Sequence, residues 1–194
     1  MRPKNCFEVS LREIFKKSVM RIIQSKTSEY KIHIIALYIE AFSTGPSQQY
    51  IDMEELNQYI DLILLEGYAL LAIENEEVNG AVLICPLHLD KALPKEISEH
   101  YPVEKCVYVA EMMVAEKVRG MGIGKQLLTE FFSTVDKQSY SDAFIRVWNE
   151  NIPAISLYRQ MGFESITTIE QVKEKADRSG TFVMQKVYLH KKMN

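Results

Sequence analysis

Seven residues, Arg119-Gly120-Met121-Gly122-Ile123-Gly124-Lys125, hold three of the chain's eight glycines. They lie between an apolar run of β character, Cys106 to Val114, and a run of helical character, Gly122 to Val135. Glycine at alternate positions lets backbone N–H groups turn inward and lets a large anion approach closely. A helix beginning there adds its unpaired N-terminal N–H groups and the positive end of its dipole. The chemistry on offer is phosphate binding. Two familiar phosphate loops fail on this run. A dinucleotide fingerprint read from Gly120 and Gly122 needs its third glycine where Lys125 stands, and a P-loop ending at Gly124-Lys125 needs glycine at Arg119 and Ser or Thr at Gln126.

The run does satisfy [QR]-x-x-G-x-[GA], with Arg119, Gly122 and Gly124 at the fixed positions. Downstream, Asn151-Ile152-Pro153-Ala154-Ile155-Ser156-Leu157-Tyr158-Arg159-Gln160-Met161-Gly162-Phe163 satisfies N-x-x-A-x-x-L-Y-x-x-x-G-F throughout. In this order and spacing the two segments resemble the GNAT superfamily, the acyl-CoA-dependent N-acyltransferases. The resemblance implies an acyltransferase that moves an acetyl group from acetyl-CoA to a primary amine of a small molecule or protein, without a metal. It places the pyrophosphate of coenzyme A on Arg119, Gly120, Met121, Gly122, Ile123, Gly124 and Lys125. It places the pantetheine arm along Met112, Met113 and Val114 of the preceding strand, with Asn151, Ala154 and Tyr158 on the other side of a V-shaped opening.

Amine attack on a thioester poses two proton problems. A lysine-like amine is almost wholly protonated at neutral pH and must lose a proton, and the departing sulfur must be stabilised or protonated. Tyr158 suits the second role, since a phenol of pKa ~10 keeps its proton at pH 7, and the family's usual acid occupies this position. For the first role Glu111 is the candidate, as a charged residue inside the apolar run V-Y-V-A-E-M-M-V. Partial burial would raise its pKa and suit it to accept a proton; the competing reading is a solvated residue on an edge or at the strand splay. Tyr158 has the alternative of an ordinary core tyrosine, and Asn151 that of a helix N-cap. A catalytically silent acyl-CoA-binding sensor or interaction module is the alternative for the whole chain, although pure binding has no need of a proton donor at the sulfur.

Composition narrows the surroundings. The chain has 194 residues, is 47% hydrophobic and carries a net charge of −3. That suits one globular domain with a sizeable core and argues against a general nucleic-acid binder. Attraction of a polyanion must then be local, from loop amides, the helix dipole and nearby Lys105, Lys117, Arg119 and Lys125. The basic tail Lys186, His190, Lys191 and Lys192 reads as solvated. Cys6, Cys85 and Cys106 are odd in number and in no C-x-x-C spacing, which fits reduced thiols and a cytoplasmic location. Met1 to Lys17 has no apolar core of signal-peptide type. No stretch approaches the ~20 apolar residues of a membrane span. His33, His88, His100 and His190 are scattered without metal-ligand spacing.

The elements that must position these residues alternate α and β. A helix is expected over Ser10 to Lys17, appended to a domain covering 1–194, and then a strand over Val19 to Gln24. Ser28 is placed to cap a helix reaching Phe42, with Ile32, Ile35, Ala36 and Ile39 recurring at three and four. A second helix spans Asp52 to Leu65, with Ile60, Ile63 and Leu64 on one face. Tyr68 to Ile73 and Val78 to Cys85 form a hairpin, and Pro86 to Lys105 a long loop with one helical turn. Then come the strand and helix around the glycines, a strand over Ala143 to Trp148, a helix over Pro153 to Met161, and a hairpin from Phe163 to Val172 and Thr181 to Leu189. The order implies a mixed α/β fold, which the resemblance makes a mostly antiparallel sheet with a splayed parallel strand pair, flanked by helices. The family's acceptor site lies near the first two helices, where Phe42, Tyr50 and Tyr59 are either its walls or core. The acidic residues Asp52, Glu54, Glu55, Asp61 and Glu66 either steer a cationic amine or form a solvated helix face. Many relatives pair, so a homodimer is compatible.

Overall fold

The structure is a computed structural model that describes residues 20–193; the helix expected over Ser10 to Lys17 lies outside them. Seven strands form one sheet in the order β1-β2-β3-β4-β5-β7-β6. These are β1 (Arg21–Ser25), β2 (Tyr68–Glu74), β3 (Glu77–Pro86), β4 (Cys106–Val114), β5 (Asp142–Trp148), β6 (Glu164–Glu174) and β7 (Thr181–Lys192). Every pairing is antiparallel except β4 with β5. On one face lie α1 (Lys31–Phe42) and α2 (Met53–Glu66), and on the other α4 (Ile123–Thr134) and α5 (Ile152–Gln160). The short α3 (Lys95–His100) interrupts the long connection from β3 to β4.

Each helix follows from local chemistry. Asp52 caps α2, its carboxylate accepting the N–H groups of Glu54 and Glu55, and Leu56, Ile60, Ile63 and Leu64 form the buried stripe. In α4 the stripe is Ile123, Leu127, Leu128 and Phe131. The start of α1 differs from expectation. Ser28 opens a 3-10 turn and makes no cap bond, and the α-helix begins at Lys31. Its buried positions are Ile34 and Leu37, whereas Ile32 is 72% exposed. With apolar residues nearly all round this helix, periodicity admits more than one inward face, and packing against the sheet selects one.

Two features of the sheet shape the functional region. β4 pairs with β5 over only four positions, Cys106↔Asp142 to Val109↔Ile145, although both strands continue. On its other edge β4 carries a bulge: Leu83 faces Glu111 and Ile84 faces Val109, leaving Ala110 as the extra residue. The bulge inverts the alternation of side chains. Tyr108 and Ala110 pack with α1 and α2, and so do Met113 and Ala115, while Val107, Val109, Met112 and Val114 pack on the opposite face. The even-numbered residues face α1 and α2 before the bulge and the odd-numbered ones after it, and Glu111 sits at the change.

Candidate active site

The glycine loop follows β4 directly. Gly120 and Gly122 have φ of +80° and +83°, a left-handed conformation that side chains with a Cβ rarely adopt, and Gly122 is the N-cap of α4. A Cβ at either would meet nothing within 4 Å, so the space over both is open. Among the described residues the N–H groups of Gly120, Gly122, Ile123, Gly124 and Lys125 donate to no backbone carbonyl. Unpaired amides, open space and a helix N-terminus together fit the pyrophosphate of coenzyme A. Gly124 serves differently: its Cβ would stand 3.2 Å from Leu157 Cδ2 and 3.5 Å from Met112 Cε, so its lack of a side chain brings α4, α5 and β4 together.

The basic residues expected to surround this loop are only partly available to it. Lys117 is bound to Glu77 at 2.6 Å. Lys105 precedes β4, a nine-residue strand about 30 Å long at ~3.3 Å per residue, and so lies at the far end from the loop. Arg119 folds back, its Nε donating to Val114 O at 3.1 Å, which ties the loop to the strand end. The edge of β4 that faces β5 has no strand partner from Ala110 to Val114. That span includes Met112 and Val114, which are half-buried, and Met113, which is buried in the α1–α2 core. A free edge of five residues fits an extended amide-bearing chain such as pantetheine.

Asn151 caps α5, its Oδ1 accepting the N–H of Ala154 at 3.3 Å, so its capping role is realised. Tyr158 lies on α5 and is 4% exposed. Its hydroxyl has no hydrogen-bond partner among the described residues, yet is not sealed from solvent. Burial and the charge of Glu111 raise its pKa well above that of a free phenol, so it is protonated at neutral pH. Glu111 approaches from the other face of the sheet. It is half-buried and accepts a hydrogen bond from the Tyr59 hydroxyl at 3.1 Å. Burial raises its pKa, opposed by Lys186, the Tyr59 hydrogen bond, Arg146 and Lys173. Two titratable groups from opposite layers thus sense one another through the gap between β4 and β5.

Glu111 lines an open cavity of about 690 Å³ bounded by α1, α2 and the sheet. Phe42, Tyr50 and Tyr59 all line it. Of the acidic set, Asp52 and Glu55 do so, while Asp61 is paired with Lys31 at 2.7 Å outside it. One side is closed by a strap: Gln49 bridges Lys175, and Tyr50 N–H donates to Glu174 O at 2.9 Å.

Sequence reasoning missed the polar floor of this cavity. Arg146 of β5 binds Asp90 Oδ1 at 3.0 Å and donates to the Tyr188 hydroxyl, which in turn donates to Asp90 Oδ2 at 2.8 Å. Arg146 is a charge within the apolar run A-F-I-R-V-W, the same signal that singled out Glu111. Lys186 also departs from expectation. It belongs to β7 rather than to a solvated tail, and its charge acts on Glu111. His190 contacts Asp142 at 2.7 Å, and Lys191 packs over the Phe132 ring. Alternation along β7 carries this signal, because Lys186, Tyr188 and His190 share one face.

The chain belongs to the acetyltransferase (GNAT) family, whose model matches residues 31–163. It is 26% identical over 129 residues to a probable N-acetyltransferase, san, of Drosophila melanogaster, covering 66% of this chain and 64% of that relative. The chain thus spans about 64% of the length of that curated relative. Among solved structures, a ribosomal-protein-alanine N-acetyltransferase from Brucella melitensis superposes with a TM-score of 0.67 at 21% identity, over 89% of this chain and 99% of that one. A putative acetyltransferase from Salmonella typhimurium, solved with its cofactor acetyl-CoA, gives 0.66 at 17% identity, over 91% and 95%. These two likenesses establish the shared fold. No helix among the described residues is long and apolar enough to cross a membrane.

Removing one partner of a buried ion pair leaves the other charge uncompensated, at about 3–5 kcal/mol. Asp90→Ala is expected to lower stability by that amount in urea unfolding, because Arg146 loses its counter-ion, although Tyr188 keeps Ala92 O as an acceptor.

Proposed function

We propose that the protein transfers an acetyl group from acetyl-CoA to a primary amine, with Glu111 taking the proton of the amine and Tyr158 supplying one to the sulfur. The observation that carries this reading is the placement of Glu111 and Tyr158 on opposite sides of the opening between β4 and β5, electrostatically coupled, beside a loop of unpaired amides. Acetyl-CoA, when bound, supplies an acyl thioester whose carbonyl carbon is open to attack. Arg119 to Lys125 would hold the pyrophosphate, and the free edge of β4 from Met112 to Val114, with Asn151 and Ala154 opposite, the pantetheine arm.

The proton steps follow from the two environments. An amine entering the cavity meets Lys173 and Arg146 on its lining, with Lys186 close by in charge. Cations beside the amine disfavour its ammonium form, an effect that the lining carboxylates Asp52 and Glu55 oppose. Glu111, with its pKa raised by burial, is a stronger base than an ordinary carboxylate and holds the released proton. Tyr158 is neutral and keeps a donor O–H that no other described residue engages. As the N–C bond forms and the C–S bond breaks, that proton passes to the departing sulfur.

Tyr158→Phe is expected to lower kcat by ~10²-fold or more while leaving acetyl-CoA binding by calorimetry within a factor of two or three; unchanged turnover removes Tyr158 from the mechanism. The sign for Glu111 follows from its raised pKa: protonation as pH falls through that value removes the acceptor, so kcat declines on the acidic side. In Glu111→Gln this acidic limb should vanish from the kcat–pH profile and kcat should fall; an unaltered limb assigns the base elsewhere. Gly122→Asp puts charge, bulk and a Cβ at φ +83° into the cradle. It should abolish acetyl-CoA binding, and tight binding by the variant would reject the loop as the anchor. Tight acetyl-CoA binding without release of the coenzyme A thiol in the presence of any amine would turn the reading to a silent acyl-CoA sensor.

A further inference from the structure

Lys173 and Lys186 are cations of the site that its own side chains leave uncompensated. Lys173 lines the cavity from β6. Lys186 stands on β7 two residues from Tyr188, on the sheet face that carries Arg146. Both are half-buried. Among the described residues neither has a carboxylate oxygen within 4.0 Å, whereas Arg146 has Asp90, Lys31 has Asp61 and Lys117 has Glu77. Buried charges are ordinarily paired, because an ion removed from water without a counter-ion is costly. The cost is visible in both groups. Burial, with Lys173 and Arg146 adding to it, pulls Lys186 down to about 8, and burial lowers Lys173 as well. Glu111 acts on both in the opposite sense, but one carboxylate faces two ammonium groups.

Of the other acids of the lining, Asp90 and Asp52 are engaged, while Glu55 lines the cavity together with the cation Lys91. Asp90 is held by Arg146 and Tyr188, and Asp52 by the first turn of α2. Beside Glu111, two ammonium groups then face one carboxylate. A simple cationic amine placed next to Lys173 and Lys186 would be repelled by them. An amine that brings one negative charge would supply the missing counter-ion and leave its amino group to Glu111. A cavity of about 690 Å³, closed on one side by the Gln49–Lys175 strap, suits a small molecule with both groups.

We propose that the acceptor is a small amine that also bears a carboxylate, and that Lys173 and Lys186 bind that carboxylate. This rests on the acetyl-transfer reading above. The test uses the full-length protein with acetyl-CoA and a panel of α-, β- and γ-amino acids, each paired with its carboxamide, read by thiol release. Binding of the same compounds is measured separately by calorimetry. At least one acid should exceed its carboxamide by tenfold or more in kcat/KM. Lys173→Met and Lys186→Met should erase that preference chiefly through KM, and Lys186→Arg should retain it. Any change in the basicity of Glu111 falls on acid and carboxamide alike, so the ratio isolates carboxylate binding.

Carboxamides or plain amines that react as well as the acids overturn this inference and leave the transfer reading standing. Acid binding that depends on the two lysines, without thiol release, keeps the carboxylate site and overturns transfer. Neither binding nor release overturns both. If a methionine variant does not fold, the wild-type acid-to-carboxamide ratio decides.

Discussion

Two neighbouring strands in the middle of a sheet normally satisfy one another's backbone groups along their whole shared length, and an unpaired run there is costly unless something else supplies the partners. Here β4 and β5 part after four residue pairs, leaving the edge of β4 from Ala110 to Val114 without a strand partner. The bulge at Ala110 accompanies the parting on the opposite edge and bends β4 away. The remaining functional features are arranged around that gap. The glycine loop leaves from the free end of β4, α5 follows β5 and carries Tyr158, and the inverted alternation turns Glu111 toward the α1–α2 face.

A parted strand pair also changes the electrostatics. Through the gap the carboxylate raises the pKa of the phenol, and burial raises that of the carboxylate itself. Lys173, Lys186 and Arg146 oppose the second effect and keep Glu111 able to ionise. The Arg146–Asp90–Tyr188 network fixes one of those cations by joining β5, β7 and the connection after β3. Rigid polar contacts of this kind hold the floor of the cavity in place. Lys173 and Lys186 differ from Arg146 in having no carboxylate oxygen within 4.0 Å among the described residues.

How far the residues alone disclose this site varies with the range of the interaction. The glycine loop, the capping of α2 by Asp52, the bounds of β4 and the place of Tyr158 and Asn151 on α5 are readable, since each depends on neighbours a few positions away. The start of α1 is not, because apolar residues nearly surround that helix, and only the sheet beneath chooses Ile34 and Leu37. Lys186 reads as part of a solvated tail because its partners come from β4, β5 and β6, far away in sequence. Lys105 and Lys117 group with the loop by sequence proximity, which strand length and an ion pair with Glu77 undo.

By itself the sequence determined the glycine-rich loop at a helix start, the order of strands and helices, and the places of a phenol on α5 and a carboxylate on β4. Those properties reside in residue type and short spacing, where backbone sterics and helix termini act. Only the tertiary structure decided that β4 and β5 part after Val109, that the bulge at Ala110 turns Glu111 into a cavity, and that Lys173 lines it while Lys186 shares the sheet face of Arg146. Register, burial and charge balance are sums over residues distant in the chain, and they take their values when the sheet closes around them.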